Sequence, residues 1–191
     1  MSLSDPLGPS PRPGNEFATL AGGCFWCLEA VFEEIRGVLD VESGYSNGRF
    51  PAPGYDEVCT GTTGHAEVAR IEFDPRRVAY ADLLRVFFGI HDPTTRNRQG
   101  DDIGPQYRSA IFFHSPEQQR QAAGAILEAR PSFAAPILTL VEPVKDYSRA
   151  EDYHQEYFRR NPGQAYCKVV IAPKHEKFRF AFARLRRAPP A

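Results

Sequence analysis

The sequence predicts a single-domain α+β fold, one mixed β-sheet covered by helices. Three observations predict it. Strand-like and helix-like stretches follow one another without regular βα alternation, which argues against a doubly wound parallel sheet. No internal repeat breaks the chain into equal units. The 191 residues, 42% hydrophobic and 25% charged, are enough for one substantial core and have the balance of a globular protein.

The elements follow in order. Phe17 to Ala21 reads as a short buried strand ended by Gly22-Gly23. Phe25, Leu28, Val31, Phe32 and Ile35 recur at helical spacing, so Cys24 to Ile35 is predicted as a helix stopped by Gly37. Val38 to Tyr45 is strand-like, with Gly44 as a bend or point of close approach. From Ser46 to Gly64, Asn47-Gly48, Pro51, Pro53-Gly54 and Gly61 predict a long loop, and long loops in compact domains are often functional. Ala66 to Phe73 is predicted as a strand on its β-branched content, although its polar and apolar positions are out of phase. Tyr80 to Ile90 is a helix with Leu83, Leu84, Phe87 and Phe88 inward. After a polar loop from His91 to Gln106, Tyr107 to Phe113 reads as a strand, and Pro116 opens a helix that runs to Arg130. Ile137 to Val141 is strand-like, Arg149 to Arg159 a short helix stopped by Asn161-Pro162-Gly163, and Tyr166 to Ile171 a last strand.

The domain organisation expected is a flexible extension over 1–16, a catalytic domain over 17–180 and a flexible basic tail over 181–191. Residues 1–16 are rich in Pro, Gly and Ser and lack the basic and apolar regions of a signal peptide. No run is long and apolar enough to cross a membrane, so a cytoplasmic location is the expectation. The net charge of -1 offers no global attraction to nucleic acid. Lys174, Lys177, Arg179, Arg184, Arg186 and Arg187 are read as a solvated cluster rather than a binding patch. Four cysteines in a chain with ample core residues favour catalytic or redox roles over a disulfide scaffold.

Cys24 carries the most information. It lies in Ala21-Gly22-Gly23-Cys24-Phe25-Trp26-Cys27, between a strand and a helix. At such a junction free backbone N–H groups and the positive helix end favour a thiolate, and the two aromatics form an apolar wall. The bland reading is a buried core thiol; the two glycines, which bring backbone amides close, argue for reactivity. Cys27 completes a Cys-x-x-Cys pair, which is a redox-dithiol spacing and also half of a zinc site; Cys59 and Cys167 occur singly and supply no second hook. Glu67 follows a glycine-threonine loop and reads either as a general acid or as a polar strand residue. Asp102 and Tyr107 form a pocket edge or a turn with a core anchor. Asp152-Tyr153-His154 offers metal-binding groups without a third ligand. Cys167 follows a Pro-Gly turn and is either a resolving thiol or an ordinary one.

In order, Gly23-Cys24-Phe25-Trp26, Tyr55, Gly61-Thr62-Thr63-Gly64-His65-Ala66-Glu67, Asp102, Gln106-Tyr107-Arg108-Ser109 and Asp152-Tyr153-His154-Gln155 resemble the motifs of the A-class peptide methionine sulfoxide reductases. The resemblance runs from Phe17 to Phe178. It implies a two-layer α/β sandwich with a mixed sheet, a ferredoxin-like core, and reduction of methionine S-sulfoxide, free or in proteins. By the same resemblance Cys24 is the nucleophile, Glu67 the acid that protonates the sulfoxide oxygen, and Tyr55 and Tyr107 the phenols that bond it. Phe25 and Trp26 receive the methyl group, and Asp102 lies at the substrate pocket. A sulfenic acid on Cys24 is resolved by Cys167, or by Cys27 directly or as a relay, to a disulfide reduced by thioredoxin. Cys59 is expected to be structural. The implied chemistry needs no cofactor, metal, nucleic acid, membrane or symmetry, so a monomer is expected. The competing readings are a general thiol-disulfide oxidoreductase using Cys24 and Cys27, a zinc-stabilised module, and a non-enzymatic binding domain.

Overall fold

The computed structural model describes residues 5–188. Its centre is β1 (Glu16–Gly22), β2 (Val38–Ser46) and β3 (Ala66–Phe73), extended by β6 (Ser109–Phe113), β7 (Leu140–Pro143) and β8 (Tyr147–Arg149). These form a six-stranded sheet in the order β7-β6-β1-β3-β2-β8. Every pairing is antiparallel except β6 with β7, so the sheet is mixed. β4 (Arg98–Gln99) and β5 (Asp102–Ile103) form a separate small hairpin inside the polar loop expected over 91–106. The mixed sheet with its helix layer agrees with the predicted class.

One face of the sheet carries the main core. α1 (Phe25–Phe32), α3 (Tyr80–Ile90) and α6 (Ala172–Ala181) place Leu28, Phe32, Leu83, Phe87 and Phe178 against Leu20, Ile71 and Phe73, with α4 (Pro116–Ala129) flanking. Burying side chains of this size is worth about 1.5–3 kcal/mol each before conformational entropy is counted. The opposite face is covered by Ala21, Ala66, Val68, Phe112 and Tyr147. There Arg70 lies over the Tyr147 ring at 3.7 Å and pairs with Glu42 at 2.8 Å. β3 is therefore buried on both faces along its whole length. That is why its sequence does not alternate cleanly.

Strand periodicity also places chemistry. Phe73, Ile71 and Ala69 point into the helix layer. Two residues on, Glu67 shares that face and continues it beneath the start of α1.

The terminal segments make specific contacts. Pro6 O accepts from Tyr147 N at 2.8 Å, Leu7 O from Arg70 at 2.9 Å, and Arg12 pairs with Glu72 at 3.2 Å. At the other end Arg186 and Arg179 both reach Glu34 at 3.5 Å, and Arg187 donates to Val38 O at 2.7 Å. The basic cluster read as solvated thus includes residues tied to the segment just after α1 and to β2. The outer parts of both expected termini, 1–4 and 189–191, lie outside the described residues.

Several predicted elements differ. The expected loop over 46–64 contains α2 (Tyr55–Cys59), started by Glu57, whose carboxylate accepts the Gly54 N–H at 2.8 Å. The helix predicted over 149–159 is split into a 3-10 turn, Asp152–His154, and α5 (Tyr157–Arg160). Gln155 causes the break. Its side chain turns inward to bond Ser43 N, Ser43 O and Ala150 O at 2.9–3.0 Å, and Glu156 adopts φ 55° behind it. The last predicted strand, Tyr166 to Ile171, is instead a π-helical turn, Cys167–Ile171, that runs into α6. Cys167, Ile171 and Phe178 are buried while Val169 is 73% exposed. Burial at i, i+4 and i+11 is a helical period that overrides the β propensity of Val169-Val170-Ile171.

Candidate active site

The site forms where β1 hands over to α1. Gly23 takes φ +93°, and a Cβ there would meet Gln99 Cγ at 2.5 Å, so only glycine fits the turn. Cys24 follows as the N-cap of α1 with a non-helical backbone. Cys24 is 6% exposed, and Cys27 and Cys167 are buried in the same cluster. None of the four cysteines is paired in a disulfide.

Glu67 meets this helix end directly. Its Oε2 accepts the Phe25 N–H at 3.1 Å, and the residue is 1% exposed. Burial pushes its carboxyl up to about 8, against the opposing pull of that hydrogen bond. The residue is therefore a neutral acid near pH 7, bonded to the backbone of the residue that follows Cys24.

The sequence favoured a thiolate at Cys24, and the structure corrects this. Burial pushes the Cys24 thiol up, helped by its hydrogen bond to Cys27. Cys27 is moved the other way, first by the hydrogen bond from Cys24 and further by the nearby Lys174 ammonium. Desolvation of Cys24 outweighs the helix end, and the charge settles preferentially on its neighbour.

Four phenols converge on this corner. Tyr166 donates its hydroxyl to Asp102 Oδ2 at 2.7 Å and is in hydrogen-bonding contact with Cys24. Tyr55 starts α2 and Tyr107 ends the 3-10 turn Pro105–Tyr107, not a strand as predicted. Burial raises both hydroxyls, so they remain proton donors. Tyr45 on β2 donates to Glu151 at 2.9 Å. Cys59 is exposed and hydrogen-bonded to Tyr55, away from the three clustered thiols.

Phe25 and Trp26 form an aromatic wall. The Trp26 indole stacks on Tyr157 with centroids 3.6 Å apart and planes at 7°, and Tyr166 meets it edge-on at 5.7 Å. Its Nε1–H donates to His154 at 3.2 Å. Among the described residues no group of three His, Cys, Asp or Glu side chains is placed to hold a metal ion. Cavity size does not mark this site: a cleft of about 490 Å³ lined by Phe88, Ala125, Phe133 and Phe182 holds no thiol.

All nine residues singled out in sequence, Cys24, Phe25, Trp26, Cys27, Tyr55, Glu67, Asp102, Tyr107 and Cys167, fall in or around this corner. Sequence reasoning missed Tyr45, Glu151, Lys174 and Tyr166 as contributors, and gave His154 no role here. Tyr166 is the direct chain neighbour of Cys167, which is the one sequence signal that attaches it to the site.

Comparison with known proteins agrees with this geometry. The family model described as peptide methionine sulfoxide reductase matches residues 16–185. The chain is 55% identical over 173 residues to the peptide methionine sulfoxide reductase MsrA of Thermus thermophilus, covering 91% of this chain and 98% of that one. It is 52% identical to the MsrA of Deinococcus radiodurans over 174 residues, 90% of this chain and 84% of the relative. Among solved structures, reduced Mxr1 of Saccharomyces cerevisiae superposes with TM-score 0.77 at 36% identity, over 83% of this chain and 92% of that chain. Mxr1 in complex with Trx2 matches with TM-score 0.55 at 28% identity, over 76% and 88%. A nucleophile-bearing helix end over a buried acid, on this sheet and with these relatives, leaves one assignment: the chain belongs to the peptide methionine sulfoxide reductase family.

Proposed function

We propose that this enzyme reduces methionine S-sulfoxide, free or in proteins, with Cys24 as nucleophile, Glu67 as proton donor and a thioredoxin as final reductant. The observation that carries the reading is the Glu67 carboxyl, buried, neutral and bonded to the backbone of the residue after Cys24. A sulfoxide oxygen is a poor acceptor of electron density until it is protonated, so a thiol attack at sulfur needs an acid of this kind.

The steps balance as follows. Cys24 passes its proton to Cys27 and attacks the sulfoxide sulfur. Glu67 protonates the oxygen, with Tyr55 and Tyr107 donating hydrogen bonds to it and Phe25 and Trp26 holding the methyl group. The protonated oxygen then migrates to the Cys24 sulfur as the bond formed in the attack and the S–O bond of the sulfoxide both break. Cys24 thus becomes a sulfenic acid and the methionine sulfur gains two electrons. Cys27 condenses with the sulfenic acid, forming the Cys24–Cys27 disulfide and water. Cys167 then attacks the Cys27 sulfur, forming Cys27–Cys167 and freeing Cys24. A thioredoxin dithiol reduces that bond, and the Trx2 complex of the yeast relative supports this partner.

The relay order is supported by contacts. Cys27 is hydrogen-bonded to Cys24, whereas the Cys167 thiol is raised by burial and by the charge of Cys27. Asp102 holds Tyr166 against the thiol. No helix among the described residues is long and apolar enough to cross a membrane. A thioredoxin-coupled thiol cycle fits a reducing compartment, and we place the enzyme in the cytoplasm as a monomer.

The test is peptide mass spectrometry after one turnover with methionine S-sulfoxide and no reductant. One methionine per enzyme with a disulfide drawn from Cys24, Cys27 and Cys167 is expected. Folded, reduced protein that yields no methionine and leaves Cys24 unchanged would overturn the reading.

A further inference from the structure

We infer that the exposed apolar segment 133–140 and the cleft it forms with α6 are the surface on which the thioredoxin docks, separate from the opening that admits methionine sulfoxide. The inference rests on the reading of a thioredoxin as the final reductant.

The chain from 133 to 140 reads Phe-Ala-Ala-Pro-Ile-Leu-Thr-Leu, with no charge and one hydroxyl. A run this apolar is ordinarily buried. Here Ile137 packs on the core, yet Ala134, Ala135 and Pro136 are exposed, and Leu138 and Leu140 keep 41% and 43% of their surface. The backbone holds them outward. Leu138 N–H donates to Pro93 O at 2.7 Å, and β7 lies at the edge of the sheet beside β6. Contiguous apolar exposure of this kind marks a surface that another protein covers.

What covers it follows from where it leads. Phe133, Ala134 and Ala135 form one wall of a cleft of about 600 Å³, and Pro173, Lys174 and Lys177 of α6 form the other. Lys174 is also in hydrogen-bonding contact with Cys27, and Cys167 precedes it on the same run of helix. The patch thus runs up to the thiol pair that the reductant must reach. Phe25, Trp26, Tyr55 and Tyr107 do not line this cleft, so substrate and reductant approach the thiols through different openings.

Charge points to the same occupant. The cleft carries Lys174 and Lys177 against one acid, Asp92, whose carboxylate is taken up by the Thr94 N–H and hydroxyl at 2.9 and 2.6 Å. Once Cys27 is held in a disulfide it bears no charge, and the Lys174 ammonium is left for an anionic partner. The oxidised enzyme therefore offers a more cationic cleft than the reduced one. An apolar, cationic surface fits a thioredoxin whose dithiol is rimmed by apolar groups and a carboxylate. Docked there, one thioredoxin thiolate attacks a sulfur of the Cys27–Cys167 bond, and the other sulfur leaves as a thiolate. The second thioredoxin thiol then attacks the mixed disulfide. Two electrons pass to the enzyme, and the thioredoxin leaves as its own disulfide.

The experiment measures turnover of methionine S-sulfoxide driven by a thioredoxin or by dithiothreitol, in Ala135→Glu, Lys177→Glu and Lys177→Arg. The first two place a carboxylate on the patch, so each should raise KM for the thioredoxin about tenfold. Lys177→Arg keeps the charge and should stay within about twofold of the unaltered enzyme. Dithiothreitol needs no docking surface and should drive all three at the rate of the unaltered enzyme. Added salt should raise KM for the thioredoxin in the unaltered enzyme and narrow its gap to Lys177→Glu. Unchanged KM for the thioredoxin in both glutamate variants overturns the inference. So does a rise in KM for oxidised protein alone, which gives the patch to the substrate. Unaltered enzyme that turns over with dithiothreitol but not with thioredoxin removes the reductant reading, and the patch with it. Should the variants not fold, hydrogen exchange of the unaltered enzyme decides. A thioredoxin lacking its second cysteine, trapped on the oxidised enzyme, should protect amides over 133–140. Protection confined to 50–59 and 152–158 would set the partner on the substrate opening and overturn the inference. Protection of 133–140 that appears without thioredoxin as enzyme concentration rises would assign the patch to a second copy and overturn it too.

Discussion

Glu67 is an acid because of what surrounds it, and the same glutamate on an exposed strand would be ionised at neutral pH. Burial holds its proton up to about 8. The chemical step should therefore slow as pH rises through about 8, since the acid form is lost there. Glu67→Gln should lower the single-turnover rate roughly 100-fold and abolish that alkaline limb. Stopped-flow or quench measurement across pH 6–9.5 checks both, and an unchanged rate would remove the acid role. Cys24→Ser should release no methionine at all, because a hydroxyl is neither nucleophilic enough nor able to form the sulfenic acid. In sequence Cys24 was conspicuous through its glycines and aromatics. The reversal of proton preference between Cys24 and Cys27 was not, because it comes from the hydrogen bond between the two thiols, from the burial of Cys24 and from Lys174, 147 positions beyond Cys27 in the numbering.

Elements deliver these residues through their periods and their breaks. The β1–α1 turn depends on Gly23, so Gly23→Ala should cost roughly 2 kcal/mol or more by combining a left-handed backbone with overlap on Gln99. Chemical denaturation at pH 7 measures it, and a loss below ~0.5 kcal/mol would show that the turn relaxes freely. α1 carries Cys24 at its cap and Cys27 one turn on, where the Cys27 N–H donates to Cys24 O at 3.1 Å. The π-helical turn sets Cys167 against them. Single turnover of Cys167→Ser should therefore stop at a Cys24–Cys27 disulfide, and Cys27→Ser should leave a long-lived sulfenic acid that a diketone probe traps. A rapid Cys24–Cys167 disulfide in Cys27→Ser would reverse the proposed order. Strands β1, β2 and β3 and helices α3 and α4 were legible from apolar pattern, glycines and Pro116. α2, the break at Gln155 and the helix at Cys167 were not, since each depends on partners remote in sequence: Tyr55 N on Glu151, Gln155 on Ser43, and Ile171 and Phe178 on the core.

At the scale of the molecule, the fold spends stability on keeping carboxyls buried. Burial holds both Glu67 and Glu29 up to about 8, against an ordinary 4.5. Between those values the folded state binds more protons than the unfolded state, so the stability linked to these groups falls as pH rises from about 4.5 to about 8. The denaturation midpoint should be lower at pH 8.5 than at pH 6, and Glu67→Gln should flatten part of that slope. A midpoint that rises over the same window would contradict the linkage. By itself the sequence determined the α+β class, the order of most elements, the reactive Cys24 junction and, through ordered motifs, the family. Those features are local or periodic, and the chain carries them in residue type and spacing. Only the tertiary structure decided that burial raises the Cys24 thiol while Cys27 is lowered, that the Glu67 carboxyl is held up, and that Cys167 joins Cys24 and Cys27 in one buried cluster. Each of these depends on desolvation and on contacts between distant segments, and neither exists until the sheet and its helices have packed.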